Sequence, residues 1–255
     1  MSLSHPHRRW RAAGVHLLIS AAVAALVAGA VFGVLYPPPF DALTGGLALF
    51  MLLVGVDVVM GPALTLVAAA PAKPRHELRR DLAIIALLQL AALAYGLHTM
   101  WQARPVYLVF EVDRLRAVTA ADIDPDLLSE AAPDWRTLPL ARPRLIAAVK
   151  PRDPSEQLRA IDLGLAGIDL GMVPSYWRPF DALRDQAWAT ARPVPALLAR
   201  YPDLAGRVAA IARQSGTAVD ALRFLPAISR HASGVIVVAD DRFEPLHYLP
   251  VDGFF

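Results

Sequence analysis

Three long apolar runs occupy most of the first hundred residues of this chain. They cover about residues 14–36, 43–70 and 82–101, and about 20 apolar residues in a helix are enough to cross a bilayer. The first run exceeds the roughly 7–15 apolar residues of a signal peptide, which predicts an uncleaved transmembrane helix. We therefore predict a domain of three transmembrane helices over residues 14–101, after an N-terminal segment of residues 1–13.

The pattern changes to strand periodicity after the third run. Residues 106–112 are rich in β-branched and aromatic side chains, as strands are. The run 235–239 is apolar on both faces, which predicts an interior strand. Residues 102–255 are thus predicted to form an α+β domain with an antiparallel sheet. Further strands are predicted at 114–118, 144–149, 222–228 and 243–249, and helices, broken at prolines, across 181–214.

Two short motifs predict where helices begin in this second domain. Thr119 followed by Asp122 is typical of a capping box, in which side chains satisfy the unpaired amides of a first helical turn. Asp153 with Pro154 and Glu156 combines a capping carboxylate, a proline at the first helical position and an acidic third residue. Both motifs precede apolar residues at helical spacing.

Positive charge is concentrated beside the apolar runs. Residues 1–81 contain 7 Lys and Arg against 4 Asp and Glu, whereas residues 82–255 contain 18 against 19. Because cytoplasmic loops carry the excess of Lys and Arg, the N-terminus and the loop 71–81 are predicted to be cytoplasmic. Three spans in a multi-pass protein then place residues 102–255 on the opposite side of the membrane, which is the periplasm if the host is a Gram-negative bacterium. No basic domain remains for binding nucleic acid.

Asp57 lies within the second apolar run. A charge at the bilayer centre costs at least about 2.5–3.5 kcal/mol and usually faces a bundle interior, where it has a task. Pro62 lacks an amide hydrogen, so it should free the carbonyl of Val58 and kink the helix. We predict a helix-packing or partner-binding site here; the alternative is that Asp57 only pins the three helices together. The candidate residues are Gly55, Asp57, Gly61, Pro62 and, from the third run, Gln89 as a hydrogen-bond partner.

Small residues recur every four positions in the first run, at Ala21, Ala25, Gly29 and Gly33. Such a stripe lets another helix approach closely. Gly29 and Gly33 form a GxxxG pair and are therefore candidates for helix packing or partner binding in the membrane. Chance is the alternative, since alanine is abundant in this run.

The remaining patterns give no support for catalysis or metal binding. The chain has no cysteine, which removes thiolate ligands, thiol nucleophiles and disulfides. Aspartates at 122, 124 and 126 alternate like the start of an EF-hand loop, but Leu127 stands where that loop needs glycine. No serine lies in a nucleophile-elbow sequence, and no histidine pair has the spacing of a zinc site. We predict no catalytic residue, no metal and no cofactor.

A cluster of aromatic residues with one arginine lies in a predicted loop of the second domain. Aromatic residues and arginine are enriched at binding hot spots, so this cluster is the candidate periplasmic interaction surface. The alternative is that its rings fill the core of the domain. The cluster consists of Tyr176, Trp177, Arg178 and Phe180.

Three segments together resemble the TfpX/TfpZ type IV pilin accessory proteins. They are Gly55-Val56-Asp57-Val58-Val59-Met60-Gly61-Pro62, residues 81–97, and Ala103-Arg104-Pro105-Val106-Tyr107-Leu108-Val109-Phe110-Glu111-Val112-Asp113-Arg114. The resemblance implies an inner-membrane protein that assists assembly of a type IV pilus and acts on or beside its pilin subunit. Such pilins remain in the inner membrane through one long apolar N-terminal helix, with a globular head in the periplasm. Other pilus assembly proteins are further implied partners.

We therefore expect a non-catalytic accessory protein, surrounded by membrane lipid, that binds or chaperones the pilin subunit. Two alternatives stay open. A membrane-anchored periplasmic enzyme would need polar groups that converge in a cleft of residues 104–255. A small transporter or sensor would use Asp57 as a proton or ion ligand, although three spans with one charge are few for transport.

Overall fold

Two compact units make up the structure, which is a computed structural model. The first, called here the helical unit, combines Met1–Val34 with Gly46–Gln102. The second, called the sheet unit, combines Leu35–Gly45 with Ala103–Phe255. The segment between the first two apolar helices therefore belongs to the sheet unit, far from the rest of that unit in sequence. The structure describes residues 5–69, 74–244 and 246–255.

Three helical stretches of the described residues are long and apolar enough to cross a membrane. Large apolar side chains face outward from each, with Leu26 77%, Leu52 68% and Leu87 68% exposed. Exposure of so large an apolar surface to water is unfavourable, whereas contact with the hydrocarbon of a bilayer is not. The stretches are Arg9–Leu35, Gly46–Ala68 and Arg75–Gln102. The first helices in chain order are α1 (His5–Ala30), α2 (Phe40–Leu43), α3 (Gly46–Gly55), α4 (Gly61–Ala68) and α5 (Arg75–Gln102).

The sheet unit contains one mixed sheet, with eight strands among the described residues. In chain order the strands are β1 (Pro105–Glu111), β2 (Arg114–Thr119), β3 (Arg144–Ala148), β4 (Trp177–Pro179), β5 (Arg192–Pro193), β6 (Arg223–Ile228), β7 (Ser233–Val238) and β8 (His247–Leu249). Their order across the sheet is β4-β3-β1-β2-β6-β7-β8, with β5 beside β6. The further helices are α6 (Pro125–Ser129), α7 (Pro154–Leu165), α8 (Arg184–Thr190), α9 (Val194–Arg200) and α10 (Ala205–Ser215).

The prediction of an antiparallel sheet is wrong, because two pairings are parallel: β1 with β3, and β2 with β6. Short turns give antiparallel neighbours, as between β1 and β2 or β6 and β7. By contrast, β3 follows the long connection 120–143 before it returns beside β1. Parallel pairing needs such long crossovers, and the local pattern of a strand does not reveal which distant strand it meets.

Most local predictions for this unit are confirmed, although the strand predicted at 243–249 is shortened to β8. Thr119 and Asp122 form the capping box, but it opens only the short 3-10 turn Ala120–Asp122, and α6 begins separately with Asp124 as its cap. The Asp153 side chain accepts hydrogen bonds from the amides of Ser155 and Glu156 at the start of α7, as predicted. The run predicted as an interior strand is β7, which has β6 and β8 as neighbours. Prolines separate α8, α9 and α10, because proline cannot continue the hydrogen bonding of the preceding helix.

Residues of Leu35–Gly45 complete the core of the sheet unit. Phe40 and Leu43 are buried in the same apolar cluster as Phe110 of β1. The Ser229 hydroxyl donates a hydrogen bond to the carbonyl of Leu43 over 2.5 Å. This loop is therefore an integral part of the domain and not a simple connection between two helices.

Tyr36 lies in the same loop and is buried beside Arg104 at the start of β1. Burial raises the pKa of Tyr36 to about 12, although the positive charge of Arg104 acts in the opposite direction. The phenol is therefore neutral at physiological pH, which suits a buried position.

Candidate functional site

Asp57 lies in a π-helical segment, Val56–Met60, directly before Gly61 and Pro62. A π turn joins the carbonyl of residue i to the amide of residue i+5, so the Asp57 carbonyl is matched to position 62. Pro62 has no amide hydrogen to donate. The expectation that Pro62 frees the carbonyl of Val58 assumed α-helical spacing, and the π-helical segment shifts the unmatched carbonyl to Asp57.

The Gln89 side chain supplies the missing donor. Its Nε2 donates a hydrogen bond from α5 to the main-chain carbonyl of Asp57 over 2.9 Å. The same side chain also contacts the carboxyl group of Asp57. Sequence reasoning named the correct pair of residues, but it did not foresee that the backbone of Asp57 would be the acceptor.

His16 of α1 extends this network to all three apolar helices. Its Nε2 lies 2.7 Å from Gln89 Oε1, and its Nδ1 lies 2.5 Å from the hydroxyl of Thr65 in α4. Because Gln89 donates through Nε2 to Asp57, Gln89 Oε1 is the acceptor, and His16 Nε2 carries the hydrogen between them. Sequence reasoning missed His16 and Thr65. Both are hydrogen-bonding side chains inside apolar runs, which is the signal that identified Asp57.

A groove of about 200 Å³ lies beside the network. Asp57, Gln89, His16 and Ser20 form its polar part. Asp57 Oδ1 is buried, and among the described residues it has no hydrogen-bond partner. The groove therefore combines an apolar lining with one buried acceptor that is not satisfied. The apolar lining includes Val23, Val27, Phe50, Val54, Leu90 and Leu93.

The candidate glycines differ in their surroundings. A side-chain carbon at Gly61 would collide with the end of the Gln89 side chain, so glycine at this position leaves the space that the Gln89 amide occupies. Side-chain carbons added at Gly55, Gly29 and Gly33 would have no neighbour within 4 Å among the described residues. The structure thus brings Asp57, Gly61, Pro62 and Gln89 together. It leaves Gly29 and Gly33 exposed and outside the groove lining.

The aromatic cluster of the sheet unit is mostly buried. Tyr176, Trp177 and Phe180 are 6%, 0% and 8% exposed, respectively. The Trp177 ring packs against that of Tyr107, with ring centres 4.7 Å apart. Arg178 alone of the four is exposed. These rings therefore fill the core, as in the alternative interpretation, and Arg178 is the member that reaches the surface.

A buried ionic network positions this part of the chain. Glu111 and Arg116 are 5% and 7% exposed, and they pair with 2.7 Å between Oε1 and Nε. Arg116 also pairs with Asp169 over 2.8 Å, and Glu111 Oε2 accepts a hydrogen bond from the amide of Gly171. The carbonyl of Gly171 in turn accepts from Trp177 Nε1 over 2.8 Å. Glu111 thereby connects strand β1 to the loop that orients Trp177.

The groups considered for catalysis or metal binding have structural partners. The Asp122 side chain accepts from Thr119 and pairs with Arg230, and Asp124 caps α6. The Ser229 hydroxyl is bonded to the Leu43 carbonyl. Within the described residues, no group of three His, Asp or Glu is placed to hold a metal ion.

Comparison with known proteins gives consistent matches over most of the chain. A family model described as "Fimbrial assembly protein FimB" matches residues 4–45. Over 242 residues the chain is 30% identical to "Fimbrial assembly protein, serogroup I" of Dichelobacter nodosus, which covers 94% of both chains. It is 29% identical to the serogroup E1 protein over the same length. It is 42% identical over 118 residues to the protein of serogroups C1 and C2, covering 46% of this chain and 90% of that one. No solved structure matches.

Proposed function

This chain belongs to the family of fimbrial assembly proteins, and from that premise we propose that it is an inner-membrane accessory protein that binds the type IV pilin subunit before or during assembly. Its relatives are named for assembly, which supports a role in building fimbriae rather than in catalysing a reaction. The resemblance to the TfpX/TfpZ proteins supports the pilin subunit as the partner. A holding or gating action on that subunit would keep its apolar helix covered until assembly.

We place the N-terminus in the cytoplasm and the sheet unit in the periplasm. The distribution of arginine supports this orientation, since Arg8, Arg9 and Arg11 lie in the first turns of α1, before its apolar run. Leu35–Gly45 contains no Lys or Arg and folds with the residues that follow the third helix. Both parts of the sheet unit must therefore lie on the same side of the membrane, as three spans require.

The groove beside Asp57 is the observation that carries the binding proposal. Its lining comes from α1, α3 and α5 and from Asp57 itself. Leu90 is 64% exposed although it lines the groove, so this surface is uncovered by the chain's own helices. Helices pack in membranes through close side-chain contacts and interhelical hydrogen bonds. One additional apolar helix seated in the groove would cover it and would complete a bundle of four helices.

Photocrosslinking in native membranes tests this proposal. A photoreactive amino acid at Leu90 or Val23 lies in the groove, and we expect it to crosslink to the pilin subunit. Leu87 on α5 and Leu26 on α1 are the matched controls, because they lie on the same helices and are exposed but do not line the groove. Equal yields at groove and control positions, or no adduct with pilin, would refute the intramembrane site.

For the sheet unit, we propose Arg178 as a second contact, with the head of the pilin. Arg178, Lys150 and Arg152 line an open cleft of about 630 Å³, and their side chains are exposed. If a probe at Arg178 crosslinks to pilin and the probes in the groove do not, the binding site lies in the periplasm and not in the membrane. Asp57 would then be a structural residue.

A further inference from the structure

The groove holds one buried acceptor, Asp57 Oδ1, without a donor among the described residues. We infer that the helix seated in the groove presents one uncharged hydrogen-bond donor, an O–H or N–H group of a side chain, to this oxygen. The inference rests on the proposed function and adds the chemistry by which the site recognises its occupant. An apolar surface alone would hold many transmembrane helices equally well, whereas a single placed donor selects among them.

The depth of Asp57 identifies the source of the donor as a transmembrane helix. Asp57 stands eleven residues after Gly46 and eleven before Ala68, the ends of the second apolar stretch. At 1.5 Å per residue, Asp57 lies about 16 Å from either end, close to the middle of a hydrocarbon core of about 30 Å. A lipid headgroup stays at the interface and does not reach this depth. Only a side chain carried by another span does so.

The surroundings of Asp57 favour an uncharged donor. The groove lining contains no Lys or Arg. The hydrogen bonds that join the three helices here run between Gln89, His16 and Thr65 and the Asp57 backbone. A cationic donor would stand unpaired in the middle of its own span until it met Asp57, and an unpaired charge at that depth is costly. A hydroxyl or amide satisfies Oδ1 without that additional cost.

Within the described residues, no nearby side-chain donor is bonded to Oδ1. Gln89 Nε2 is bonded to the Asp57 carbonyl, and the Gln89 side chain also contacts the carboxyl group, but Oδ1 is left without a hydrogen bond. The two ring nitrogens of His16 are occupied by Gln89 and Thr65, and the Ser20 hydroxyl lines the groove without a bond to Oδ1. A helix seated in the groove would supply the donor that Oδ1 lacks.

Two substitutions at Asp57 test the inference in full-length protein in native membranes, with the photoreactive residue at Leu90. Asp57→Asn keeps an oxygen acceptor of the same shape without the charge, so pilin crosslinking should stay within about twofold of the unsubstituted protein. Asp57→Leu removes the acceptor and should lower the yield about two- to tenfold, the ratio given by one net hydrogen bond. Yields are compared per amount of membrane-inserted protein.

The outcomes separate the inference from the proposed function. An unchanged yield with Asp57→Leu overturns the donor inference and leaves the groove as the pilin site. Equal losses with Asp57→Asn and Asp57→Leu indicate a cationic partner and overturn the uncharged donor. No pilin adduct even with Asp57 in place overturns the proposed function itself.

A second measurement does not depend on how the variants fold. Probes at Val54 and Leu90, which flank Asp57 in the groove, map the face of the pilin helix that meets the groove. We expect that face to carry a side chain with an O–H or N–H group within one helical turn of the adducts. A face with only aliphatic side chains overturns the inference.

Discussion

Gln89 donates a hydrogen bond to the main-chain carbonyl of Asp57 over 2.9 Å, opposite Pro62, which has no amide hydrogen for that carbonyl. A side chain from one helix thus completes the backbone of another. In hydrocarbon, where water is absent, an unmatched carbonyl is costly. The Gln89 side chain is therefore part of the secondary structure of the second helix as well as of the contact between helices.

Gln89→Leu should destabilise the helical unit by about 1–3 kcal/mol, because it leaves the Asp57 carbonyl and the His16 Nε2 hydrogen without partners. The measurement is unfolding of the purified full-length protein in mild detergent. Pro62→Ala restores an amide at position 62, so it should recover part of the loss in the double variant. Additive effects of the two substitutions would contradict the pairing described here.

Gly61→Ala should destabilise the same unit by about 1–3 kcal/mol, because the added carbon collides with the end of the Gln89 side chain and displaces the amide from its hydrogen bonds with Asp57 and His16. Gly55→Ala is the matched control, since a carbon there has no neighbour within 4 Å. It should leave the unfolding midpoint unchanged or raise it slightly, because alanine favours the helix. Equal effects at the two glycines would show that the close approach at Gly61 does not matter.

Leu43→Ala should destabilise the sheet unit by about 2–5 kcal/mol, the usual cost of emptying a buried leucine site. Leu43 is 0% exposed and lies in the core cluster with Phe110, although it stands in the loop between the first two helices. Denaturant unfolding of the full-length protein, followed by tryptophan fluorescence, measures the change. Leu140→Ala, at a position 65% exposed, is the control and should shift the unfolding midpoint little. Equal shifts for the two variants would contradict the burial of Leu43 in the core.

Glu111→Gln should cost about 3–5 kcal/mol, because it leaves the buried Arg116 without its closest negative partner. The matched control is Asp113→Asn, since Asp113 pairs with Arg114 at the surface. Exposed pairs contribute about 0–1 kcal/mol. Denaturant unfolding of the two variants gives the loss of unfolding free energy for each pair. A loss for Glu111→Gln that is less than twice the loss for Asp113→Asn would contradict the buried position of Glu111.

Acid should weaken the sheet unit through His247. Its Nε2 is buried without a partner among the described residues, and burial lowers the pKa of His247 below its usual 6.5. The unfolded chain then binds a proton at higher pH than the folded chain does, so stability should fall as pH drops below about 6.5. His247→Phe should flatten this dependence between about pH 7 and pH 5.

The local sequence pattern predicted much of the fold, but it did not predict which strands distant along the chain pair with each other. The strands β1 and β7 follow from runs of β-branched, aromatic and apolar residues, and the start of α7 follows from its capping residues; each signal lies within a few positions of the chain. The parallel pairing of β3 with β1 depends on a distant crossover. The burial of Phe40 and Leu43 likewise depends on strands more than sixty residues away along the chain.

The sequence likewise identified some residues of the candidate site but not the contacts between them. Asp57 and Gln89 stand out because polar side chains in apolar runs are costly unless they are paired. His16 gives the same signal, but only the folded arrangement shows that it joins Thr65 to Gln89. The π-helical turn at Asp57 is not encoded by any short motif, so the choice of acceptor atom could not be read from residue types.

The discontinuous sheet unit imposes an order on synthesis. Leu35–Gly45 emerges from the ribosome long before β8, which ends at Leu249. At about 5–20 residues per second, the interval between Gly45 and Leu249 is roughly 10–40 s. During that time Phe40 and Leu43 have no core to join. The core of the sheet unit can therefore be completed only near the end of synthesis, when the last strands meet residues that were made among the first.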